Sequence, residues 1–449
     1  MTKLAINGGP KVRTKPFPQQ EVMMFEDIAA VEDVMQSGLL TGYRGNWKQF
    51  GGGPRIQELE AEFCHRFNVK HAIAINSATS GLFVALGAVL GPIQDRYYQD
   101  EPPEVIVSPY SMSCSASLPL AWDARPVFAD IDETYCLDPD DVERKITDRT
   151  KAIIAVSLFG QPFDPQLCYI ADKYGIPIIE DAAQAIGSTV NFDSMPCELS
   201  GDVYAGTLGS IGVFSFNQGK HVTCGEGGMV VTDCGEFATK IRLLVNHSES
   251  VVHDAAAQNA DEAKSLLANC SNVYGFNLRL TEMQAALVSS QLKRFDDELE
   301  IRRRNVEYLR EEIPKVCPAL TPAPVREGAT HSYYVFPLIW DGNRRTHTNE
   351  KESTYYTVPN LKRFIEAVCA ELSTVEGRED EGVCIRQGYI DPLYTFPLFD
   401  LPEGTCPNCE RLNDSTVIIY KLIGARSTLD DMRDVVAVFA KVWNAREEL

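Results

Sequence analysis

Between residues 54 and 233, short apolar runs alternate with segments of helical periodicity, and this alternation constrains the fold more than any other feature of the chain. The runs are strand-sized: residues 71–76 (HAIAIN), 104–108 (EVIVS), 125–131 (RPVFADI), 151–159 (KAIIAVSLF), 176–181 (IPIIED), 212–217 (GVFSFN) and 228–233 (GMVVTD). Between several of them lie helix-like segments. In residues 54–67, Pro54 suits a first turn, and Ile56, Leu59, Phe63 and Phe67 recur at helical spacing. Residues 79–90 and 164–175 read the same way. Apolar strands separated by helices predict an α/β fold with a mostly parallel sheet covered on both faces. Ligands in such sheets collect at the carboxyl ends of the strands. Several polar residues of interest fall there.

After residue 280 the texture changes, and residues 281–313 read as one long or broken amphipathic helix leading from a large domain to a smaller α/β one. The expected organisation is an N-terminal arm over 1–20, a large domain over 21–295 and a small C-terminal domain over 296–449. Residues 341–353 and 373–382 read as exposed polar loops, and the run DDELEIRRRN as a solvated helix face with i,i+4 charge pairs.

Composition excludes some functions. The longest apolar runs, such as residues 152–156, are too short to cross a bilayer, so no membrane partner is expected. The N-terminal residues lack the apolar core of a secretory signal. Thirteen cysteines, odd in number and scattered, suit reduced thiols in a cytoplasmic protein. The net charge of −21, with no Lys/Arg run, argues against nucleic acid as a partner. A small anionic ligand stays compatible with it, because one pocket can be locally positive.

The stretch VFSFNQGKHVTCGEGG, residues 213–228, runs an apolar strand into Lys220 and then into a turn with three glycines. Most lysines are solvated surface charges, so only its surroundings can give Lys220 another role. Asp181 ends the strand at 176–181, and Gln184 follows three residues later. Ser215 precedes Lys220 by five residues, and Gly225, Gly227 and Gly228 permit a tight turn beside it. One chemistry uses all of them. Pyridoxal 5'-phosphate needs a lysine for its Schiff base and an acid to keep its ring nitrogen protonated. It also needs hydroxyls and amides for its phosphate, often at a helix start. The segment NSATSG, residues 76–81, offers such a start between a strand and a helix.

With these motifs in order, the chain resembles the DegT/StrS family of sugar aminotransferases, pyridoxal-phosphate enzymes of the aspartate aminotransferase fold (fold type I). The resemblance runs from LAINGGPKVRTKPFP through INSATSGL, EDAAQAIGS, GVFSFNQGKHVTCGEGGMVVT and YGFNLRLTEMQAAL to HSYYVFPL and GYIDPLYTFPLF. It implies that Lys220 bonds the cofactor and shuttles the proton, and that Asp181 pairs with the ring nitrogen. It places Gln184 at the ring hydroxyl, Ser215 with Ala78 and Thr79 at the phosphate, and Met112 where relatives stack an aromatic on the ring. Asn277 matches a residue that reaches the phosphate from a partner subunit, which implies a homodimer with shared active sites. Tyr43, Trp47, Arg279, His331 and Tyr333 lie on matching motifs as candidate substrate contacts, each with an equally good structural reading.

The implied reaction is a two-stage transamination from glutamate or glutamine to a keto sugar, either a nucleotide-linked keto-deoxyhexose or a keto-cyclitol. A dehydratase on the same scaffold is the alternative, and the members expected to dehydrate carry histidine in place of the lysine. A regulatory homologue without activity is a further reading, disfavoured by the intact Lys220, Asp181, Gln184 and Ser215 set. No metal site is expected: Cys406 and Cys409 have C-x-x-C spacing but no second pair, and His65, His71, His253 and His347 show no ligand spacing.

Overall fold

The computed structural model describes residues 3–43, 50–91, 101–192, 201–248, 275–341, 346–347, 353–354, 360–378, 380 and 382–449. A seven-stranded sheet is built from β1 (His71–Ile75), β2 (Glu104–Val107), β3 (Arg125–Phe128), β4 (Thr150–Val156), β5 (Ile178–Asp181), β6 (Ile211–Ser215) and β7 (Gly228–Thr232). Its order is β1-β7-β6-β5-β4-β2-β3. Strands β3, β2, β4, β5 and β6 pair in parallel, and β7 alone runs antiparallel to both of its neighbours. Every residue of β2, β5 and β7 is buried, as expected of strands covered on both faces.

Helix α1 (Phe25–Ser37) precedes α2 (Pro54–Phe67), whose apolar stripe faces the sheet. Ile56, Leu59, Phe63 and Phe67 are all buried with Phe214 and Phe216. The Phe63 ring meets Phe214 edge-on at 5.6 Å and Phe216 at 5.7 Å. Truncating such a ring to alanine costs about 3–5 kcal/mol, so this contact anchors the strand that carries Ser215. Helix α3 (Ala78–Leu90) packs on the opposite face with Ile73, Ile75, Val213 and Val230.

The amphipathic segment after residue 280 is two helices, α4 (Glu282–Leu292) and α5 (Phe295–Val316), broken at Lys293 and Arg294. The Arg294 guanidinium holds the break by a two-armed bond to Asp27 at 2.8 and 2.7 Å. Beyond α5 lies an antiparallel four-stranded sheet made of residues 320–322, 336–340, 385–387 and 416–419. The N-terminal residues Leu4 and Phe17 are buried against this second unit, and Arg13 pairs with Asp431 at 2.8 Å and Asp434 at 2.7 Å. The chain then returns: Tyr394, Cys406, Cys409 and Leu412 join the core of the large sheet. The two units therefore meet along the carboxyl ends of the parallel strands.

Three local expectations need correction. The strand expected over 151–159 ends at Val156, because Leu158–Gly160 turns through a 3-10 helix with Phe159 at a φ of 60°. At 341–353, Thr346–His347 pairs antiparallel with Ser353–Thr354. Within 373–382, Val375 is buried and bridged to Phe17, so that stretch is partly a packing element.

Candidate active site

Asp181, Ser215, the start of α3 and Lys220 all lie at the carboxyl end of the large sheet. Asp181 closes β5 with 5% exposure. Its Oδ1 accepts the Ala183 N–H at 3.1 Å, and its Oδ2 accepts the Ser115 hydroxyl at 3.0 Å. Burial pushes its pKa up, opposed by the Ala183 N–H, the Lys220 charge and the Ser115 hydroxyl.

Lys220 is carried by a hairpin-like extension of β6 and β7. Phe216 N–H donates to the Gly227 carbonyl at 2.9 Å, Gln218 N–H to Gly225 at 2.9 Å and Lys220 N–H to Asn217 at 2.9 Å. Gly225 supplies the positive φ of 84° that closes this turn. The Lys220 Nζ lies 4.3 Å from the centroid of the Tyr334 ring. Burial lowers its pKa to about 8, while the charge of Asp181 and the Cys114 thiol act the other way. An amine so placed exchanges its proton near neutral pH.

The next residue, His221, is fixed by one bond. Its Nε2 lies 2.9 Å from the Ser332 carbonyl, which can only accept, so Nε2 carries the hydrogen and Nδ1 is a bare acceptor. Nδ1 is buried with no partner among the described residues. Burial pushes the imidazole's pKa well down and keeps it neutral.

Gln184 spans the two units. Its Oε1 accepts the Phe159 N–H at 2.9 Å, and its Nε2 donates to the Tyr389 hydroxyl at 3.0 Å. Tyr389 N–H donates in turn to the Tyr110 hydroxyl at 2.8 Å.

A candidate phosphate cradle lies where β6, β7 and α3 meet. Ser77 caps α3 through the Ser80 N–H at 3.1 Å. The Ala78 and Thr79 N–H groups find no acceptor among the described residues. Ser215 stands in register opposite Gly228. A Cβ on Gly228 would come within 2.9 Å of Ala78 N, so only glycine leaves this space open. Free N–H groups at a helix start beside a serine hydroxyl make an anion site. Together with a low-pKa lysine and a buried carboxylate, this donor set fits pyridoxal phosphate.

The other sequence candidates are scattered. Met112 is 52% exposed, and its carbonyl accepts the N–H of Ser115, the residue that holds Asp181. Arg279 lies over the Tyr43 ring at 5.5 Å and donates to Asn246 Oδ1 at 2.6 Å. Asn277 is exposed and bridged through its backbone to Asn246. Trp47 lies outside the described residues. His331 is buried and stacked on Tyr333 at 4.2 Å. Its Nδ1 accepts the Tyr333 N–H, and burial lowers its pKa to about 3. Tyr333 is buried in the core of the second unit, and its hydroxyl donates to the exposed Glu307 at 2.7 Å. Neither His331 nor Tyr333 reaches the cavity at Lys220.

That cavity, about 320 Å³, lies between the two units and is lined by Lys220, His221, Tyr334, Tyr389, Arg302 and Arg386 among others. Sequence reasoning missed all but Lys220 as site residues. Arg302 and Arg303 also correct the solvated reading of the arginine run on α5. Arg302 donates to the Tyr333 carbonyl at 3.1 Å, and Arg303 donates to the carbonyls of His331 and Gly187 at 3.0 Å each. Cys406 and Cys409 are fully buried free thiols, and among the described residues no cluster of ligating side chains could hold a metal.

Comparison with known proteins agrees with this geometry. Residues 25–354 match the model of the DegT/DnrJ/EryC1/StrS aminotransferase family. The L-glutamine:2-deoxy-scyllo-inosose aminotransferase of Streptomyces lividus is 30% identical over 98% of this chain and 97% of its own. An aminotransferase structure from Psychrobacter cryohalolentis superposes with a TM-score of 0.75 at 26% identity, covering 96% of this chain and 99% of that one. The structure of DesI with its TDP-sugar product gives a TM-score of 0.76 at 25% identity, covering 100% and 98%.

Proposed function

Given that the chain belongs to the DegT/DnrJ/EryC1/StrS aminotransferase family, we propose that it moves the amino group of glutamine or glutamate to a keto sugar, using pyridoxal phosphate. The observation that carries this reading is Lys220: a primary amine with its pKa lowered to about 8, facing a cavity and within electrostatic reach of buried Asp181. Folding alone requires no such amine, since burying a lysine without a close ion pair is costly.

When bound, pyridoxal phosphate supplies a carbonyl that takes up amines and an electron sink that stabilises the carbanion left by proton removal. The chain's residues divide the remaining work. Asp181 holds a proton on the ring nitrogen, and Ser115 and the Ala183 N–H keep its carboxylate aimed. The Ala78 and Thr79 N–H groups and the Ser215 hydroxyl would hold the phosphate. Lys220 Nζ, when neutral, would be the base that takes the proton from the donor's α-carbon and hands it on. For this the amine has to be a base near neutral pH, as its lowered pKa allows. Gln184, tied to both units, orients the ring hydroxyl. The keto acid leaves before the acceptor enters, so one cavity serves both halves of a ping-pong cycle.

For the acceptor we favour a keto-cyclitol with glutamine as donor, as in the name of the Streptomyces lividus relative. The TDP-sugar bound by DesI supports a nucleotide-linked keto sugar as the second reading. Exposed Asn277 suits a homodimer in which each subunit contributes to its partner's phosphate site. Sedimentation of the purified protein tests the dimer.

The test of the function is the absorbance spectrum of the cofactor-loaded protein with and without glutamine. Conversion of the cofactor to its amine form, followed by reversal on adding 2-deoxy-scyllo-inosose, is the expected result. Conversion without reversal by any keto-cyclitol moves the acceptor to nucleotide-linked sugars. A spectrum indifferent to amino acids overturns the reading.

A further inference from the structure

The cavity beside Lys220 is cationic although the whole chain carries a net charge of −21. Its four arginines are not equivalent, and Arg426 reaches the Met24 sulfur at 3.0 Å. Arg294 is neutralised by Asp27 at 2.7 Å and Glu298 at 3.0 Å. Arg302 has no carboxylate within ion-pair distance among the described residues, and its one hydrogen bond goes to the Tyr333 carbonyl at 3.1 Å. The nearest acids, Glu298 and Glu21, act on Arg302 only through space. Glu298 is engaged by Arg294, and Glu21 by Lys421 at 4.0 Å. Burial accordingly holds the Arg302 pKa down at about 10. A half-buried guanidinium without a counter-ion, facing a cavity, calls for an anion from outside.

Its position says which anion. The charge of Arg302 bears on both the Tyr334 phenol and the His221 ring, the two groups that flank Lys220. Arg386 also bears on Tyr334, but it is exposed, packed over Tyr389 at 5.7 Å and Tyr420 at 5.5 Å. An amino acid donor carries its carboxylate on the carbon that also bears the reacting amine, so the carboxylate must lie within a few ångströms of Lys220. The phosphates of a nucleotide-linked sugar lie a whole ring away from the reacting carbonyl. Resting on the aminotransferase reading above, we propose that Arg302 binds the α-carboxylate of the amino donor and so sets donor affinity in the first half-reaction.

The experiment is a single-turnover titration of the cofactor-loaded enzyme with glutamine, followed by absorbance, for wild type, Arg302→Met and Arg302→Lys. The expected result is a rise of roughly 10- to 100-fold in the apparent donor dissociation constant for Arg302→Met, with partial recovery in Arg302→Lys. The second half-reaction, started from enzyme loaded with the cofactor's amine form and a keto acceptor, should change by less than about threefold. An unchanged cofactor spectrum and melting temperature establish that the variants fold. Wild-type donor affinity in Arg302→Met overturns the assignment and leaves the function standing. So does equal damage to both halves, which marks a structural residue, or damage confined to a nucleotide-linked acceptor, which marks a phosphate site. A wild-type enzyme that reacts with no amino acid overturns the function and this assignment together.

Discussion

The Nζ of Lys220 sits 4.3 Å from the centroid of the Tyr334 ring, so the amine of the large unit rests on an aromatic face from the segment that leads into the second sheet. The ring does two things there. Its face attracts the ammonium form, by about 0.5–2 kcal/mol at sites of this kind, and its bulk keeps water from one side of the amine. Tyr334→Phe keeps both. Tyr334→Ala removes both and also opens the cavity. Turnover should fall less than about threefold in Tyr334→Phe and about 10- to 100-fold in Tyr334→Ala. Equal loss in the two variants would mean that the phenol hydroxyl is the working group.

Lys220→Ala tests the amine itself. Turnover should drop by at least about a thousandfold, because the substitution removes the nucleophile and the proton-transfer base together. Pyridoxal phosphate should still bind through Asp181 and the α3 cradle. Native mass spectrometry should then show it bound, and borohydride reduction should fix none of it covalently. Full activity in this variant would sink the mechanism.

The pKa of Lys220 gives a pH prediction with a definite sign. The neutral amine is the nucleophile, and its pKa is about 8 where an ordinary lysine has 10.5. In cofactor-free protein, covalent capture of added pyridoxal phosphate should speed up about tenfold per pH unit below 8 and level off above it. An ordinary lysine would keep accelerating past pH 10. The charge of Asp181 raises the Lys220 pKa. Asp181→Asn should therefore move the plateau to lower pH. Stopped-flow absorbance across pH 6–10 at saturating cofactor reads both curves, and a plateau shifted upward would contradict the coupling.

The parts of the proposed site that depend on local pattern were legible in the sequence. Asp181 was legible because an apolar run ends on it, and Lys220 because a strand feeds it into a glycine turn. Tyr334 was not. The matching motif pointed to His331 and Tyr333, but Tyr333 takes a φ of 51° and is buried in the second core, while Tyr334 and Val335 line the cavity. Arg302 was hidden for another reason: a run of three arginines on a charged helix reads as solvated. The break at Lys293–Arg294 aims α5 so that Arg302 and Arg303 reach carbonyls of the adjoining segments. Tertiary placement of a helix outranks its composition, and no window of the sequence reports it.

Gly228 tests the cradle without touching a group that does chemistry. It opens β7 opposite Ser215, and a Cβ there would lie 2.7 Å from the Phe214 carbonyl oxygen and 2.9 Å from Ala78 N. Both are main-chain atoms, one in the sheet and one at the start of α3, so neither yields as a flexible side chain would. Gly228→Ala should cost about 1–3 kcal/mol of stability through the overlap. It should also push the first free N–H of α3 off its aim and weaken cofactor binding by about tenfold or more. Gly175→Ala is the control. A Cβ at Gly175, just past the helix Gln166–Tyr174 and outside the site, meets nothing within 4 Å, but the φ of 65° is strained for any other residue. It should therefore lose about 1–2 kcal/mol of stability with cofactor affinity close to wild type. Thermal melts and fluorescence titration with pyridoxal phosphate separate the two effects. If Gly228→Ala bound the cofactor as tightly as the control, the phosphate would have to sit somewhere other than the start of α3.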